Sequence, residues 1–140
     1  MKQLTLLEKA LLLKKTEIFK NLDLDLLLPI SDKTQVTTIE KGEIIFHLNQ
    51  DAHLMYVIIE GVIEARDQEG HILGNLREGD IFGDESIFSE ETRQYETLCR
   101  SDVHLLTLSK TNLLSIISEC PSVAVGLLQC YASVMVFRPR

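Results

Sequence analysis

The sequence has no tryptophan, only three prolines and three cysteines, and fewer positively than negatively charged side chains. The cysteines, Cys99, Cys120 and Cys130, show no CxxC spacing, and their odd number favours reduced thiols over a disulfide framework. Lys and Arg total 14 against 21 Asp and Glu, which gives a net charge of −7. This balance argues against direct nucleic-acid binding, because such binding needs cations that replace the phosphate counterions.

No hydrophobic run is long enough to cross a bilayer. The leucines near the N-terminus are interrupted by charged residues such as Glu8 and Lys9, so a signal-peptide core is absent there. The longest apolar stretch without charge spans residues 123–137, which is shorter than the roughly 18–20 residues that a spanning helix needs. We therefore expect a cytoplasmic chain with no membrane span.

Glycine is absent before Gly42, clusters between Gly42 and Gly83, and occurs once more as Gly126. Because glycine is favoured where the chain turns or approaches another backbone closely, the middle third is predicted to be a turn-rich β unit. At 140 residues the chain is expected to form one domain. Its predicted parts are N-terminal helices over 1–30, a β-roll over 31–109 and two C-terminal helices over 110–140.

Helical signals occupy the N-terminal flank. Thr5 and Glu8 have capping-box spacing, and Leu7 and Leu11 are predicted to lie on the packed face of the first helix. A second short helix is predicted from Leu22 to Leu28, ending near Pro29 because proline lacks the backbone N–H.

Short β-branched runs separated by turn signals follow from residue 34 onwards. They predict about seven or eight strands of a jelly-roll-like β-roll. The predicted strands are Gln35–Ile39, Ile44–Phe46, Leu54–Ile59, Ile63–Arg66, His71–Leu76, Tyr95–Cys99 and Val103–Leu108. In the turn at 49–53, Asn49 is the natural candidate for left-handed backbone geometry.

The C-terminal flank predicts one helix ending at Cys120 and a final helix capped by Ser122. The polar stripe of the final helix, Ser122, Gln129 and Ser133, is too narrow for a helix that faces water on one side. We expect this helix either to pack deeply in its own domain or to meet a second copy or a partner domain. A homodimer would place Val123, Leu127, Tyr131 and Val134 against their symmetry mates.

Three blocks carry a family resemblance. They are Lys41-Gly42-Glu43-Ile44-Ile45-Phe46, Met55-Tyr56-Val57-Ile58-Ile59-Glu60-Gly61 and Leu73-Gly74-Asn75-Leu76-Arg77-Glu78-Gly79-Asp80-Ile81-Phe82-Gly83. In this order and spacing they resemble the cyclic nucleotide-binding domain family of catabolite-type regulators, kinase regulatory subunits and gated channels. The resemblance covers essentially the whole chain and implies a regulatory or sensor module, with cAMP or cGMP as the candidate ligand.

The resemblance also implies a phosphate-binding segment with loop amides, a ribose-binding acid and an arginine. In this sequence the implied ligand-binding residues are Gly83, Asp84, Glu85, Ser86, Arg93, Gln94 and Tyr95. Arg93 stands at the family's arginine position, nine residues after the acid. No catalytic residue and no metal ligand are implied.

Several of these positions depart from the family's pattern. Asp84 replaces the usual glutamate, and Gln94 and Tyr95 replace small residues beside the phosphate. Five carboxylates between positions 84 and 96 surround the one cation, Arg93. The sequence therefore leaves two interpretations open. In the first, the module binds a cyclic nucleotide weakly or in altered form with Arg93 exposed at the pocket base. In the second, the roll is ligand-free and serves interaction or dimerisation, with Arg93 in an internal ion pair with Asp84 or Glu96 and Tyr95 filling the cavity.

A third, remote alternative is an enzyme of the cupin type, which resembles this roll and holds a metal through a His-x-His motif. The histidines here, His47, His53, His71 and His104, show neither that motif nor HExxH. We therefore expect no enzyme activity and no cofactor.

Overall fold

The computed structural model describes residues 3–134 of the chain. Within them the order of elements is α1 (Leu6–Lys14), α2 (Leu24–Asp32), β1 (Gln35–Ile39), β2 (Ile44–Phe46), β3 (Leu54–Glu60), β4 (Ile63–Arg66), β5 (Ile72–Leu76), β6 (Ile81–Phe82), α3 (Asp84–Ser89), β7 (Glu96–Cys99), β8 (Val103–Ser109), α4 (Lys110–Glu119) and α5 (Pro121–Ser133). The predicted fold class, a mainly β chain with flanking helices, is confirmed.

The chain divides into two compact units. One consists of residues 34–110 and holds all the strands; the other consists of the segments before residue 34 and after residue 110. These limits lie close to the predicted ones at 30/31 and 109/110. That the parts form a single domain stays a prediction.

The strand unit consists of two antiparallel sheets of four strands, in the orders β1-β8-β3-β6 and β2-β7-β4-β5. The predicted strands are confirmed, but β6 was not predicted, because two residues between Asp80 and Gly83 are too short to show an alternating pattern. Buried side chains fill the interior of the unit. They are Phe46, Tyr56, Ile58, Ile63, Phe82, Cys99, Val103 and Leu105.

Helix α1 begins as predicted but packs with a different face. The Thr5 side chain accepts from the Glu8 N–H at 3.1 Å, and the Glu8 carboxylate accepts from the Thr5 N–H, which completes the capping box. Leu7 and Leu11 are about half exposed, whereas Ala10 and Leu13 are buried. The prediction of the packed face was therefore wrong for Leu7 and Leu11, because leucines lie all around this helix and their spacing does not single out the side that packs.

Helix α2 does not end at Pro29, which lies inside it. The helix continues to Asp32, with Leu27 and Ile30 fully buried and the Ser31 hydroxyl donating to the Leu27 carbonyl at 2.8 Å. Burial on both sides of the proline outweighs the one main-chain hydrogen bond that the proline cannot make.

Helix α5 also differs from its predicted form. Cys120 is its N-cap and Pro121 its first residue, so Ser122 does not cap it. Of the face predicted to meet a second copy, Val123 and Leu127 are buried, Tyr131 is half-buried and Val134 is exposed. Gly126 allows this packing, since a Cβ atom there would lie 2.2 Å from Leu22 Cδ2. The remainder of the predicted C-terminal helix, residues 135–140, lies outside the described residues.

Among residues 3–134 no single helix is both long and apolar enough to cross a membrane. Helices α4 and α5 reach that length and composition only together, and their axes differ by 114° at the break between them.

Candidate functional site

The segment from β6 to β7 contains all of the predicted site residues, and Gly83 sets its geometry. Gly83 precedes α3 with φ +80°, a backbone conformation that residues other than glycine rarely adopt. A Cβ atom here would lie 3.0 Å from Arg93 Nη1 and 3.1 Å from Tyr56 Cδ2. The turn therefore depends on glycine for its backbone angle and for the close approach of Arg93.

Arg93 lies in the interior and is only 2% exposed. Its Nη1 donates to the Gly83 carbonyl at 2.6 Å, and its Nη2 donates to the Leu54 carbonyl at 2.5 Å. The guanidinium carbon lies 4.2 Å from the centre of the Phe46 ring, a cation–π contact. Arg93 Nε is buried and has no hydrogen-bond partner in the described part of the chain.

Burial lowers the pKa of Arg93, while the nearby tyrosines and the carboxylates of Glu85 and Asp84 act in the opposite direction. Arg93 remains a cation, because its ordinary pKa is far above neutral. Of the ion-pair partners considered from the sequence, Glu96 is engaged elsewhere, with its Oε1 atom 3.1 Å from His47 Nδ1. The guanidinium is held mainly by main-chain carbonyl oxygens, an arrangement that neither interpretation of the sequence included.

The backbone of Arg93 is fixed as firmly as its side chain. The Arg93 N–H donates to the Gln50 carbonyl, and the Asn49 N–H donates to the Arg93 carbonyl, both at 2.8 Å. Asn49 has φ +68°, the left-handed geometry predicted for it. The turn between β2 and β3 therefore positions the arginine.

The hydroxyl group of Tyr95 lies directly beside Gly83. The Gly83 N–H donates to the Tyr95 oxygen at 3.1 Å, and the Tyr95 O–H donates to Glu85 Oε2 at 2.6 Å. The tyrosine ring packs against Phe46 with centroids 5.4 Å apart. Burial and the neighbouring carboxylate of Glu85 raise the pKa of Tyr95, so the hydroxyl stays protonated and donates.

Asp84 and Glu85 form a carboxyl pair at the start of α3. Asp84 is buried, whereas Glu85 is exposed on the surface of α3. Local desolvation of the carboxyl group raises the pKa of Glu85 to about 7, and the hydrogen bond and charge of Asp84 add to the effect. Glu85 is therefore an acid that titrates near neutral pH.

The two remaining predicted residues contact the loop and not the carboxyl pair. Ser86 is buried and its hydroxyl donates to the Thr92 carbonyl at 3.2 Å. Gln94 is exposed, and its Nε2 donates to the same carbonyl at 2.9 Å. The structure thus brings Gly83, Arg93 and Tyr95 together with Glu85 and leaves Ser86 and Gln94 as loop supports.

A cavity of about 250 Å³ adjoins Glu85 and Tyr95. It is lined by Ala65, Leu73, Gly74, Asn75, Leu76, Ile81, Phe82, Glu85 and Tyr95. The sequence did not predict the strand residues of this lining as site residues. It also did not predict the aromatic residues next to Arg93, Phe46 and Tyr56. The block Leu73 to Gly83, already prominent as a family motif, was the signal that could have identified the cavity wall.

A second cavity, of about 230 Å³, is lined mainly by polar side chains of the same unit. Its lining includes His53 and Lys110 as well as Glu90 and Glu91, and Lys110 Nζ lies 3.9 Å from Glu90 Oε1. Arg93 lines neither this cavity nor the first.

Asp67, Glu69 and His71 could in principle hold a metal ion at the turn between β4 and β5, since their ligand atoms lie within 4.8 Å of one another. Asp67 Oδ1 already accepts from the N–H groups of Glu69 and His71 at 3.0 and 2.8 Å. Because these bonds account for the cluster as a turn, we assign no metal to it.

A family model described as cyclic nucleotide-binding domain matches residues 36–120. The chain is 28% identical over 81 residues to a cAMP-dependent protein kinase regulatory subunit of Hypocrea atroviridis. That match covers 58% of this chain and 17% of the relative, so the chain spans only a small part of the relative's length.

Solved structures have the same fold. The N-terminal domain of a transcriptional regulator from Streptomyces coelicolor A3(2) superposes with a TM-score of 0.81 at 23% identity, over 89% of this chain and 91% of that one. The regulatory domain of Toxoplasma gondii PKA, crystallised with cAMP, superposes with a TM-score of 0.72 at 19% identity. It covers 77% of this chain and 42% of that one.

Proposed function

Because the chain belongs to the cyclic nucleotide-binding domain family, by its match over residues 36–120, we propose that it is a regulatory module whose anion-binding groups are engaged within the protein. In this proposal cAMP and cGMP bind weakly or not at all. The module serves regulation through its fold and through ligands other than these two nucleotides.

The observation that carries the proposal is the position of the Tyr95 hydroxyl. A main-chain N–H at the start of a helix is a ready donor to phosphate oxygens, and Gly83 supplies one at the start of α3. Here that N–H donates to Tyr95, whose own proton is given to Glu85. A phosphate at this place would have to displace both hydrogen bonds.

The engagement of Arg93 supports the same conclusion. A guanidinium binds phosphate through a fork of two parallel N–H donors, and both Nη atoms of Arg93 already donate to carbonyl oxygens. Freeing them would leave the Gly83 and Leu54 carbonyls without these donors. Leaving a buried polar group unpaired costs about 1–3 kcal/mol.

The local charge also disfavours an anion. A carboxylate about 4 Å from a phosphate charge costs roughly 1 kcal/mol in water and about 4 kcal/mol at an effective dielectric constant of 20. Glu85 lines the cavity and Asp84 hydrogen-bonds to it, whereas Arg93 lies outside the lining. The exposed side of the site is therefore acidic.

Thermal unfolding with millimolar cAMP or cGMP tests the proposal. We expect no shift of the midpoint for the wild type. A ligand at a hundred times its Kd stabilises a fold by about 2.7 kcal/mol. For a chain of this size that is a rise of several degrees. A rise of that size in the wild type would overturn the proposal.

Two variants separate the hydroxyl from the bulk of Tyr95. Tyr95→Ala removes both, as in relatives with a small residue at this position, and is expected to gain a cAMP-dependent shift. Tyr95→Phe releases the Gly83 N–H but keeps the ring against Phe46, so its gain is expected to be smaller. If neither variant gains a shift, Tyr95 is not what excludes the nucleotide.

A further inference from the structure

The cavity beside Glu85 combines apolar walls with an acidic end. Most of its lining comes from apolar residues of β4, β5 and β6, namely Ala65, Leu73, Leu76, Ile81 and Phe82. The polar side chains of the lining are Asn75, Glu85 and Tyr95. None of the lining residues carries a positive charge, so no charged group in the wall of this cavity attracts an anion.

At the acidic end of the cavity, beside Glu85, the side chains can still accept hydrogen bonds but have no proton left to donate. The Tyr95 hydroxyl uses its one proton on Glu85 Oε2 and accepts from the Gly83 N–H. An ionised carboxylate accepts at two oxygens and about four lone pairs, so Glu85 keeps acceptor capacity after the Tyr95 bond. A group that satisfies this capacity must donate hydrogen bonds, and a cationic donor would also offset the charge of the Asp84–Glu85 pair.

We infer that the cavity binds a small cationic ligand, an amine attached to an apolar ring, with the ammonium group on Glu85 and the ring against Leu73 and Ile81. This inference rests on the proposed function, since it names the ligand class of the same site once phosphate is disfavoured. At about 250 Å³ the cavity is below the usual range of roughly 300–1,000 Å³ for ligand pockets, which limits the ring system to one or two rings.

The protonation of Glu85 should make ligand binding depend on pH, which a purely apolar site would not do. The groups around it are Asp84 on α3 and, from the following segment, Arg93 and Tyr95. Because the pKa of Glu85 is raised to about 7, the carboxyl is mostly neutral at pH 6 and mostly ionised at pH 8. An ammonium ligand that requires the ionised form should therefore bind about tenfold more tightly at pH 8 than at pH 6.

Isothermal titration with three indoles of matched shape tests the inference. Tryptamine carries an ammonium, tryptophol a hydroxyl and indole-3-acetate a carboxylate on the same ring. We expect tryptamine to bind most tightly and tryptophol to bind at least about tenfold more weakly. Indole-3-acetate should show no measurable binding. Equal or tighter binding of indole-3-acetate, or no binding of tryptamine at millimolar concentration, would overturn the inference.

Glu85→Gln identifies the group responsible. It should reduce tryptamine binding to the level of tryptophol and abolish the gain between pH 6 and pH 8. Glu91→Gln is the matched control, because it removes the same charge from an exposed residue that does not line this cavity. An equal loss in both variants would mean that net charge, and not the site, attracts the amine, and would overturn the inference.

The same titrations with cAMP keep the two proposals apart. If cAMP binds the wild type at micromolar concentration, the proposed function fails whatever the indoles do. If neither cAMP nor tryptamine binds, the proposed function stands and only the amine ligand is rejected.

Discussion

The guanidinium of Arg93 lies 4.2 Å above the ring of Phe46, and its two Nη atoms donate to the carbonyls of Gly83 and Leu54. A cation this deeply buried contributes to the stability of the free protein. These contacts give Arg93 a structural role in the ligand-free protein. Measurements of unfolding without any ligand can therefore test that role.

Arg93→Ala should lower the free energy of unfolding of the ligand-free protein by about 3 kcal/mol or more, since hydrogen bonds to a charged group contribute about 1.5–3 kcal/mol each. Urea denaturation measures this change. Arg100→Ala, at an exposed position, should change the stability by less than about 0.5 kcal/mol. An Arg93 variant as stable as the wild type would mean that the guanidinium does not support the fold.

Gly83→Ala should destabilise the protein more than Gly79→Ala does. Both glycines have φ near +80 to +90°, so both substitutions carry the left-handed penalty of about 1–2 kcal/mol. Only at Gly83 would the new methyl group contact Arg93 and Tyr56, whereas at Gly79 nothing lies within 4 Å. The difference between the two variants in thermal or urea unfolding should be about 1–3 kcal/mol; equal losses would contradict the close approach of Arg93.

Glu85 should make the protein less stable as the pH rises towards neutrality. Its pKa is raised from 4.5 to about 7 on folding, so between these values the folded protein binds more protons than the unfolded chain. The stabilisation from the protonated carboxyl is present below pH 4.5 and is lost as the pH rises to 7. Glu85→Gln should flatten this part of the stability profile in urea unfolding from pH 4.5 to 8, whereas Glu91→Gln should leave it unchanged.

A homodimer through the final helix stays a prediction. Of the residues predicted to meet their symmetry mates, Val123 and Leu127 are buried, whereas Val134 is exposed, and Val125 and Leu128 of α5 are 54% and 67% exposed. If α5 mediates the dimer, Leu128→Glu should give a monomer by light scattering at high micromolar concentration. Leu114→Glu, on an exposed position of α4, should leave the dimer intact. A monomeric wild type would refute the prediction.

The sequence predicted the strands well because their signals are local. Alternating β-branched residues and glycine turns mark each strand, and Asn49 was identified from the backbone angle that its turn requires. The two-residue strand β6 and the continuation of α2 through Pro29 were missed for one reason. In both, partners distant in the chain supply the stabilisation: pairing of Ile81 and Phe82 with β3, and burial of Ile30.

That the predicted residues bind a ligand stays a prediction, and the structure adds their arrangement. Gly83 hydrogen-bonds to both Arg93 and Tyr95, and the bulk of Tyr95 already suggested a filled cavity. The partners of Arg93 could not be predicted, because main-chain carbonyls carry no sequence signal. The raised pKa of Glu85 was also hidden, since it depends on the local desolvation of this carboxyl and on its hydrogen bond to the buried Asp84, which the sequence shows only as two adjacent acids.

The pair of main-chain hydrogen bonds between Arg93 and the Asn49–Gln50 turn has a kinetic consequence. While the amide and carbonyl of Arg93 are tied to this turn, the main chain at Arg93 can move away only if the turn moves with it or both bonds break. Such a step is a local opening that involves both loops. In deuterium exchange the amide protons of Asn49 and Arg93 should therefore show one common opening free energy, and one common rate where exchange is limited by the opening itself.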